Sequence, residues 1–366
     1  MTTSNSYAVL AKRLGYRADH QTVLSILEYL MTPEAARMVE ALPGTPADVS
    51  EKTGFPVDRV VREFDALFRK GVIFPRGDFN RREYYRFARS MNQLREATQA
   101  SPDLHYIKDR KYFELWHTFL NGEMYREMGE FRRDLLAKSG ASLFRIIPAY
   151  QSIEDLDGVL PFEDYREVLK AQDQIAIVTC PCRYLHTSIG EHCDHTSEEE
   201  RPTCLMLGRG AEYSEVRGAG KLLTAEEAIE RARQMEVDGL IHILRNINSV
   251  QNLRISCNCC TDCCIDVLSV QSLGLPLSTV WAKSRFAPEL ASVEACNGCQ
   301  ECVDRCQFDA IEMVKVPGSK KMKAAVDEEK CYGCGLCVVG CASRALKMKI
   351  IRPPEHIPAP PGAAAH

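Results

Sequence analysis

Seventeen cysteines in a chain of 366 residues fall into three bursts, and their spacing is that of metal ligands. The most regular strings are CNGCQECVDRC at 296–306 and CYGCGLCVVGC at 331–341, each reading C-x-x-C-x-x-C-x-x-x-C. Three cysteines at two-residue intervals let one loop wrap three corners of an iron–sulfur cube. The fourth, expected at the start of the next helix, points away toward a second cube. The spacing therefore assigns one [4Fe-4S] cluster to Cys296, Cys299, Cys302 and Cys341, and another to Cys331, Cys334, Cys337 and Cys306. A pair of zinc sites is the alternative, because close thiolates also hold zinc.

The two strings are copies. CNGCQECVDRCQFDAIEM at 296–313 aligns with CYGCGLCVVGCASRALKM at 331–348, sharing Ala310/Ala345 and Met313/Met348 beyond the cysteines. This duplication resembles the bacterial-type ferredoxin module, which implies two interlocked clusters that accept and release single electrons. One departure is clear: the proline usual after the fourth cysteine is Gln307 in one copy and Ala342 in the other. That proline stiffens a turn and is not a ligand, so cluster assembly is not put in doubt.

Nine cysteines remain. Cys180, Cys182, Cys193 and Cys204 lie in TCPCRYLHTSIGEHCDHTSEEERPTC, and Cys257, Cys259, Cys260, Cys263 and Cys264 in SCNCCTDCCID. Thiols used as small apolar residues are scattered, whereas these are bunched, so metal is the economical reading. At least one further iron–sulfur cluster is expected, drawing on the first four and joined by members of the second group; which four bind is open. Adjacent Cys259 and Cys260 do not easily reach one metal, so that segment serves two centres or includes non-ligands. Zinc is the rival, helped by His192 and His195 beside Cys193, and Cys260 with Cys263 could instead be a thiol–disulfide exchange pair. Arg183 and His242 are candidates for tuning a cluster or holding an anion, with an ordinary structural role as the alternative.

The order of motifs resembles a family of multidomain 4Fe-4S dicluster proteins of anaerobic bacteria and archaea: a winged helix, then C-x-C-R, then C-N-C-C-x-x-C-C, then two ferredoxin repeats. The residues that carry the resemblance are Cys180, Cys182, Arg183, Cys193, Cys204, Gly239, His242, Asn246, the CNCC run at 257–260 and the ferredoxin cysteines. It implies a redox function and this architecture, and no particular substrate.

The elements that must position these thiols read as an α+β chain in several units. Residues 15–90 carry a winged-helix pattern: TPADVSEKTG is a short helix stopped at Gly54, and PVDRVVREFDALFRKG a second one. In the latter Val57, Val60, Val61, Phe64, Leu67 and Phe68 recur at i, i+3, i+4, i+7, predicting one apolar face. VIFPRGDFNRREYYRFA reads as a hairpin wing. Residues 91–140 form a helical connector, 141–290 a cysteine-rich α/β domain, 291–350 the two-cluster module and 351–366 a Pro- and Ala-rich disordered tail. Thr224 and Glu227 form a capping-box pair. GRGAEYSEVRGAG at 208–220 has glycines but lacks a strand-turn-helix setting, so no flavin or nicotinamide site is expected.

Apolar residues at 45% and charged residues at 26% sit in the ordinary globular range, so most of the chain should fold. The net charge of −4 gives no general pull toward nucleic acid or anionic lipid. No export signal and no bilayer-spanning apolar run is read, so a cytoplasmic protein in a reducing, oxygen-poor setting is expected, with thiols free for metal rather than disulfides. Its partner would be a redox protein or an oxidoreductase, as an electron-delivering component rather than a stand-alone enzyme. The competing class is a redox-responsive DNA-binding regulator. Arg59 and Arg62 on the second helix, and Arg76, Arg81, Arg82 and Arg86 along the wing, favour it; Asp58, Glu63 and Asp65 oppose it.

Overall fold

The computed structural model describes residues 5–191, 193–195 and 202–360. Five helices, Ser6–Arg13, Gln21–Leu30, Pro33–Glu40, Pro46–Thr53 and Val57–Lys70, are followed by an antiparallel hairpin of β1 (Ile73–Arg76) and β2 (Tyr84–Phe87). Thr45 and Asp48 cap the fourth helix reciprocally, and Gly54 ends it with φ +76°. The helix at 6–13 buries Tyr7, Leu10 and Ala11 in the same core, so this unit begins before residue 15. On Val57–Lys70 the buried stripe is Val60, Phe64, Leu67 and Phe68; Val57 and Val61 stay 44% and 42% exposed, because the core reaches only one narrow side of the helix.

Helices Met91–Gln99, Arg110–Phe119 and Tyr125–Ser139, with a π-helical turn at Leu120–Met124, extend that core through Tyr112, Phe113, Trp116 and Phe119. The connector is thus an integral layer. Its last helix packs on Ile265–Gln271, the helix that follows the second cysteine burst, and Gly129 permits the approach. A Cβ at Gly129 would lie 2.5 Å from the Ser269 carbonyl oxygen and 2.6 Å from Leu273 Cδ1. Gly129→Ala is expected to cost about 1–3 kcal/mol through overpacking; an unchanged urea midpoint would reject this close contact.

The central sheet has seven strands: β3 (Phe144–Ile147), β4 (Ile175–Val178), β5 (Cys204–Leu207), β6 (Gly220–Leu223), β7 (Ile241–Arg245), β8 (Ile255–Cys259) and β9 (Trp281–Ala282). Their spatial order is β6-β4-β5-β8-β7-β3-β9, and every neighbouring pair but β3–β9 is antiparallel. Strand β5, Gly208 at φ +51° and helix Arg209–Val216 do form a strand-turn-helix, contrary to the sequence expectation. The strand escapes notice because it is four residues long and starts on a cysteine. Gly210 and Gly220 serve packing: a Cβ at Gly210 would lie 2.6 Å from the Arg254 carbonyl oxygen, and one at Gly220 2.9 Å from Val178 Cγ1.

The carboxyl-terminal unit pairs β10 (Phe286–Leu290) with β13 (Leu346–Ile350), and β11 (Ile311–Val314) with β12 (Lys323–Val326). Because β10 closes on β13, this unit starts at 286 rather than 291. The repeat holds in the backbone: positive φ occurs at Gly298 and Gly333, at Gln300 and Gly335, and at Asp309 and Arg344. Residues 351–360 are packed, not loose. Arg352 donates to the Ser284 carbonyl (2.7 Å), Asn248 N–H to the Pro358 carbonyl (2.8 Å), and Ile357 is buried. Residues 361–366 lie outside the described chain. Among the described residues no helix is long and apolar enough to cross a membrane.

Candidate metal centres

In each carboxyl-terminal string a residue at positive φ, Gln300 or Gly335, starts a one-turn helix, Glu301–Asp304 or Leu336–Val339. That turn carries the third cysteine and ends before the fourth, so Cys306 and Cys341 follow a helix instead of opening one. The thiols form two sets. Cys302 lies in the field of Cys299, Cys341 and Cys296, and burial with those neighbours pushes its thiol up to about 11. Cys337 is raised by burial, then by Cys334, Cys331 and Cys306, and last by Cys302 of the other set. Within these sets the influence is through space, with no thiol–thiol hydrogen bond among the described residues. Backbone N–H groups instead point at sulfur: Ala310 to Cys306 (3.4 Å) and Gly333 to Cys331 (3.3 Å). Four spaced thiols with amide donors are the donor set a [4Fe-4S] cluster needs. Cys299 is exposed, whereas Cys331 and Cys337 are buried.

The nine middle cysteines separate into two groups. Antiparallel pairing sets Val178 beside Cys204 and Leu205 beside Ser256, so the end of β4, the start of β5 and the end of β8 meet at one end of these interior strands. Cys180, Cys182, Cys204, Cys257, Cys259 and Cys264 gather there. Cys180 is lowered by hydrogen bonds from Cys182 and Cys204, and Cys257 is drawn down to about 5 by bonds from Cys204 and Cys259. Cys259 is raised by its bonds with Cys257 and Cys264, and Cys182 by its bond with Cys180 and then by burial. The shifts run in opposite directions at neighbouring thiols, because a thiolate is favoured by a thiol that donates to it and disfavours a second charge beside it. Cys182, Cys257 and Cys259 are only half-buried, so a space large enough for solvent borders the group.

Cys193, Cys260 and Cys263 form the other group, with Cys193 Sγ 3.5 Å from Cys260 Sγ. Strand alternation explains the split: Cys257 and Cys259 share one face of β8, and Cys260 turns to the other. The buried Arg183 guanidinium donates to Cys193 Sγ (3.4 Å), Cys260 Sγ (3.5 Å) and Thr203 Oγ1 (2.7 Å). Thr203 O accepts from Asn258 Nδ2 (2.5 Å), Asn258 Oδ1 faces His242 Nδ1 (2.6 Å), and His242 Nε2 faces Glu236 Oε1 (3.2 Å). His242 also stacks on Tyr165 at 4.0 Å. Arg183 therefore touches candidate ligands directly, and His242 stands behind them in a buried polar chain.

Two residues escape sequence reasoning. Arg95, buried and bonded to Asn92 and Gln99, opposes the rise of the Cys182 thiol from within the connector, where no motif flags it. Asp262 joins Cys193, Cys260 and Cys263, and the C-T-D-C string is the signal that could have found it. His195 is not in that group, and His192 lies outside the described residues. A cleft of about 250 Å³ lined by Gln99, Ser101, His105, Thr179 and Tyr184 brings solvent to within one residue of Cys180.

Gln307 gives the missing proline a physical meaning. Its Oε1 accepts from Thr261 N–H (2.9 Å) and its Nε2 donates to the Gly239 carbonyl (2.6 Å). Arg305 adds bonds to the Glu236 and Val237 carbonyls (2.7 and 3.1 Å). The ferredoxin-type loop is thereby pinned to the segment that carries Cys260 and Cys263. Gln307→Pro is expected to keep the iron content and lower stability by about 1–3 kcal/mol; iron analysis with urea unfolding checks both, and an unchanged midpoint would dismiss the pin.

Residues 295–345 match the family model described as a 4Fe-4S dicluster domain. No curated protein and no solved structure matches the chain. With the two thiol sets, that match makes the carboxyl-terminal unit an iron–sulfur, ferredoxin-like module with an electron-transfer role.

Proposed function

We propose that this protein is the electron-delivering component of an oxygen-sensitive oxidoreductase system in a reducing compartment, with a further iron–sulfur centre in its middle domain. In this reading Cys296, Cys299, Cys302 and Cys341 hold one cubane, and Cys331, Cys334, Cys337 and Cys306 the other. The six thiols Cys180, Cys182, Cys204, Cys257, Cys259 and Cys264 hold the additional polynuclear centre. A bound cluster supplies a reversible one-electron couple that needs no proton.

The observation that carries the reading is a shared apolar core. Cys257, Cys259 and Cys264 pack in the same cluster of side chains as Cys334, Tyr332, Phe308 and Leu336. Phe308 stacks on Tyr332 at 4.7 Å within this cluster. Apolar packing around redox centres keeps reorganisation small and suits electron exchange. The opposite set, with Cys299 exposed, is the face left for a redox partner.

The DNA-binding alternative draws less support from the amino-terminal unit. Arg82 is paired with Asp65 (3.2 Å), Arg86 bonds the Phe87 carbonyl and Gln93, and Arg76 lies over Tyr84. Tyr213 of the central domain stacks on Phe74 of the hairpin (5.6 Å), and Arg209 donates to the Gly77 carbonyl (2.5 Å). One side of the hairpin is thus packed against the central domain, while Arg76 and Arg81 near its tip stay exposed.

Anaerobic purification with iron and sulfide analysis and EPR of the reduced protein tests the proposal. About eight irons are expected from the module and at least ~4 more from the middle domain. A colourless, iron-poor holoprotein that accepts no electrons from a strong reductant would refute it.

A further inference from the structure

We propose that Cys193, Cys260, Cys263 and Asp262 form a second kind of metal site, a closed tetrahedral site for a single zinc-type divalent ion. One ligand atom from each of the four lies within 4.8 Å of all the others. A tetrahedral ion with metal–sulfur bonds of about 2.3 Å sets its ligand sulfurs about 3.8 Å apart. The 3.5 Å between Cys193 and Cys260 Sγ is close to that value, and far beyond the ~2.05 Å of a disulfide. A cubane needs wider spacing, because each thiolate sits on a different iron.

The carboxylate supplies the independent observation. Asp262 Oδ2 is fixed by the Asp194 backbone N–H at 2.8 Å, while Oδ1 is buried with no hydrogen-bond partner among the described residues. A buried, unpartnered carboxylate oxygen beside three thiols is costly unless a cation meets it. Three thiolates and a carboxylate around a divalent ion carry a net charge of −2, and Arg183, 1% exposed and touching two of the sulfurs, offsets half of it. All four coordination positions are filled from the protein, which marks a structural rather than a catalytic ion.

Its position gives it a task. Cys193 and Asp194 belong to the loop after helix Pro181–Ser188, which bears Cys182 and is preceded by Cys180. Cys260 follows strand β8, which bears Cys257 and Cys259. The ion therefore staples together two of the three segments that supply the six-thiol group; Cys204, on β5, is the third. The inference goes beyond the electron-transfer reading and does not depend on it.

The test uses the full-length holoprotein purified without oxygen. Elemental analysis should find about one zinc per chain, and zinc-edge X-ray absorption about three sulfur scatterers near 2.3 Å with one oxygen near 2.0–2.2 Å. Cys193→Ala should abolish the zinc while the EPR signals of the module's clusters persist. Asp262→Asn, which keeps shape and fold, should speed zinc loss to a chelator at least tenfold with iron unchanged. Absence of zinc, zinc that survives both substitutions, a mapped disulfide among these cysteines, or loss of iron and sulfide together in Cys193→Ala would each overturn the site. Loss of the module's EPR signals from the unmodified protein would instead count against the electron-transfer reading.

Discussion

The double substitution Cys334→Ala/Cys337→Ala is expected to remove about four of the eight irons of the carboxyl-terminal module and leave the other cluster intact. Only two thiols, Cys331 and Cys306, would then remain in that set, too few to hold a cube. Burial raises both replaced thiols, Cys334 to about 12, so they charge only when a metal displaces their protons. The other set keeps Cys296, Cys299, Cys302 and Cys341. Because Cys334 shares its core with Cys257, Cys259 and Cys264, reduction of the middle domain by an external donor should also slow sharply. Iron and sulfide per chain, EPR of the remaining cluster and stopped-flow reduction measure the three effects. Full iron retention would show that the ligands are grouped differently.

Loss of one carboxylate should be nearly as damaging to the fold. Arg285, which precedes β10, makes a two-pronged ion pair with Glu163 at 2.6 and 2.8 Å, with side chains 3% and 1% exposed. Arg285 also donates to the Gly158 carbonyl (3.1 Å). The pair ties the central domain to the first strand of the ferredoxin-like module. Glu163→Ala would strand a buried guanidinium, which costs about 3–5 kcal/mol. Glu163→Gln keeps one acceptor and should cost less. Anaerobic urea unfolding, followed by both far-UV signal and cluster absorbance, reads the loss; a change below about 1 kcal/mol in the alanine variant would mean that water or another group takes over the arginine.

What the sequence could determine alone is whatever a short stretch of chain decides. The cysteine strings at 296–306 and 331–341 are local loops, so their intervals dictate which thiols can wrap a common centre. Strand alternation likewise separates Cys259 from Cys260, and the capping residues at Thr45 and Thr224 close within four positions. The grouping of the middle cysteines is a different matter. Cys193 lies in the same burst as Cys180, Cys182 and Cys204, yet it sides with Cys260 and Cys263. That choice follows from the strand order β4-β5-β8 and from strand alternation, which turns Cys260 to the face opposite Cys257 and Cys259. Gln307 reads as a mere missing proline until Thr261 and Gly239 arrive beside it, and Arg95 reads as one more helical arginine until Cys182 does. Contacts between residues distant along the chain are set by packing and sheet topology, which no local spacing encodes; for that reason the sequence can count these ligands, and only the folded chain can sort them.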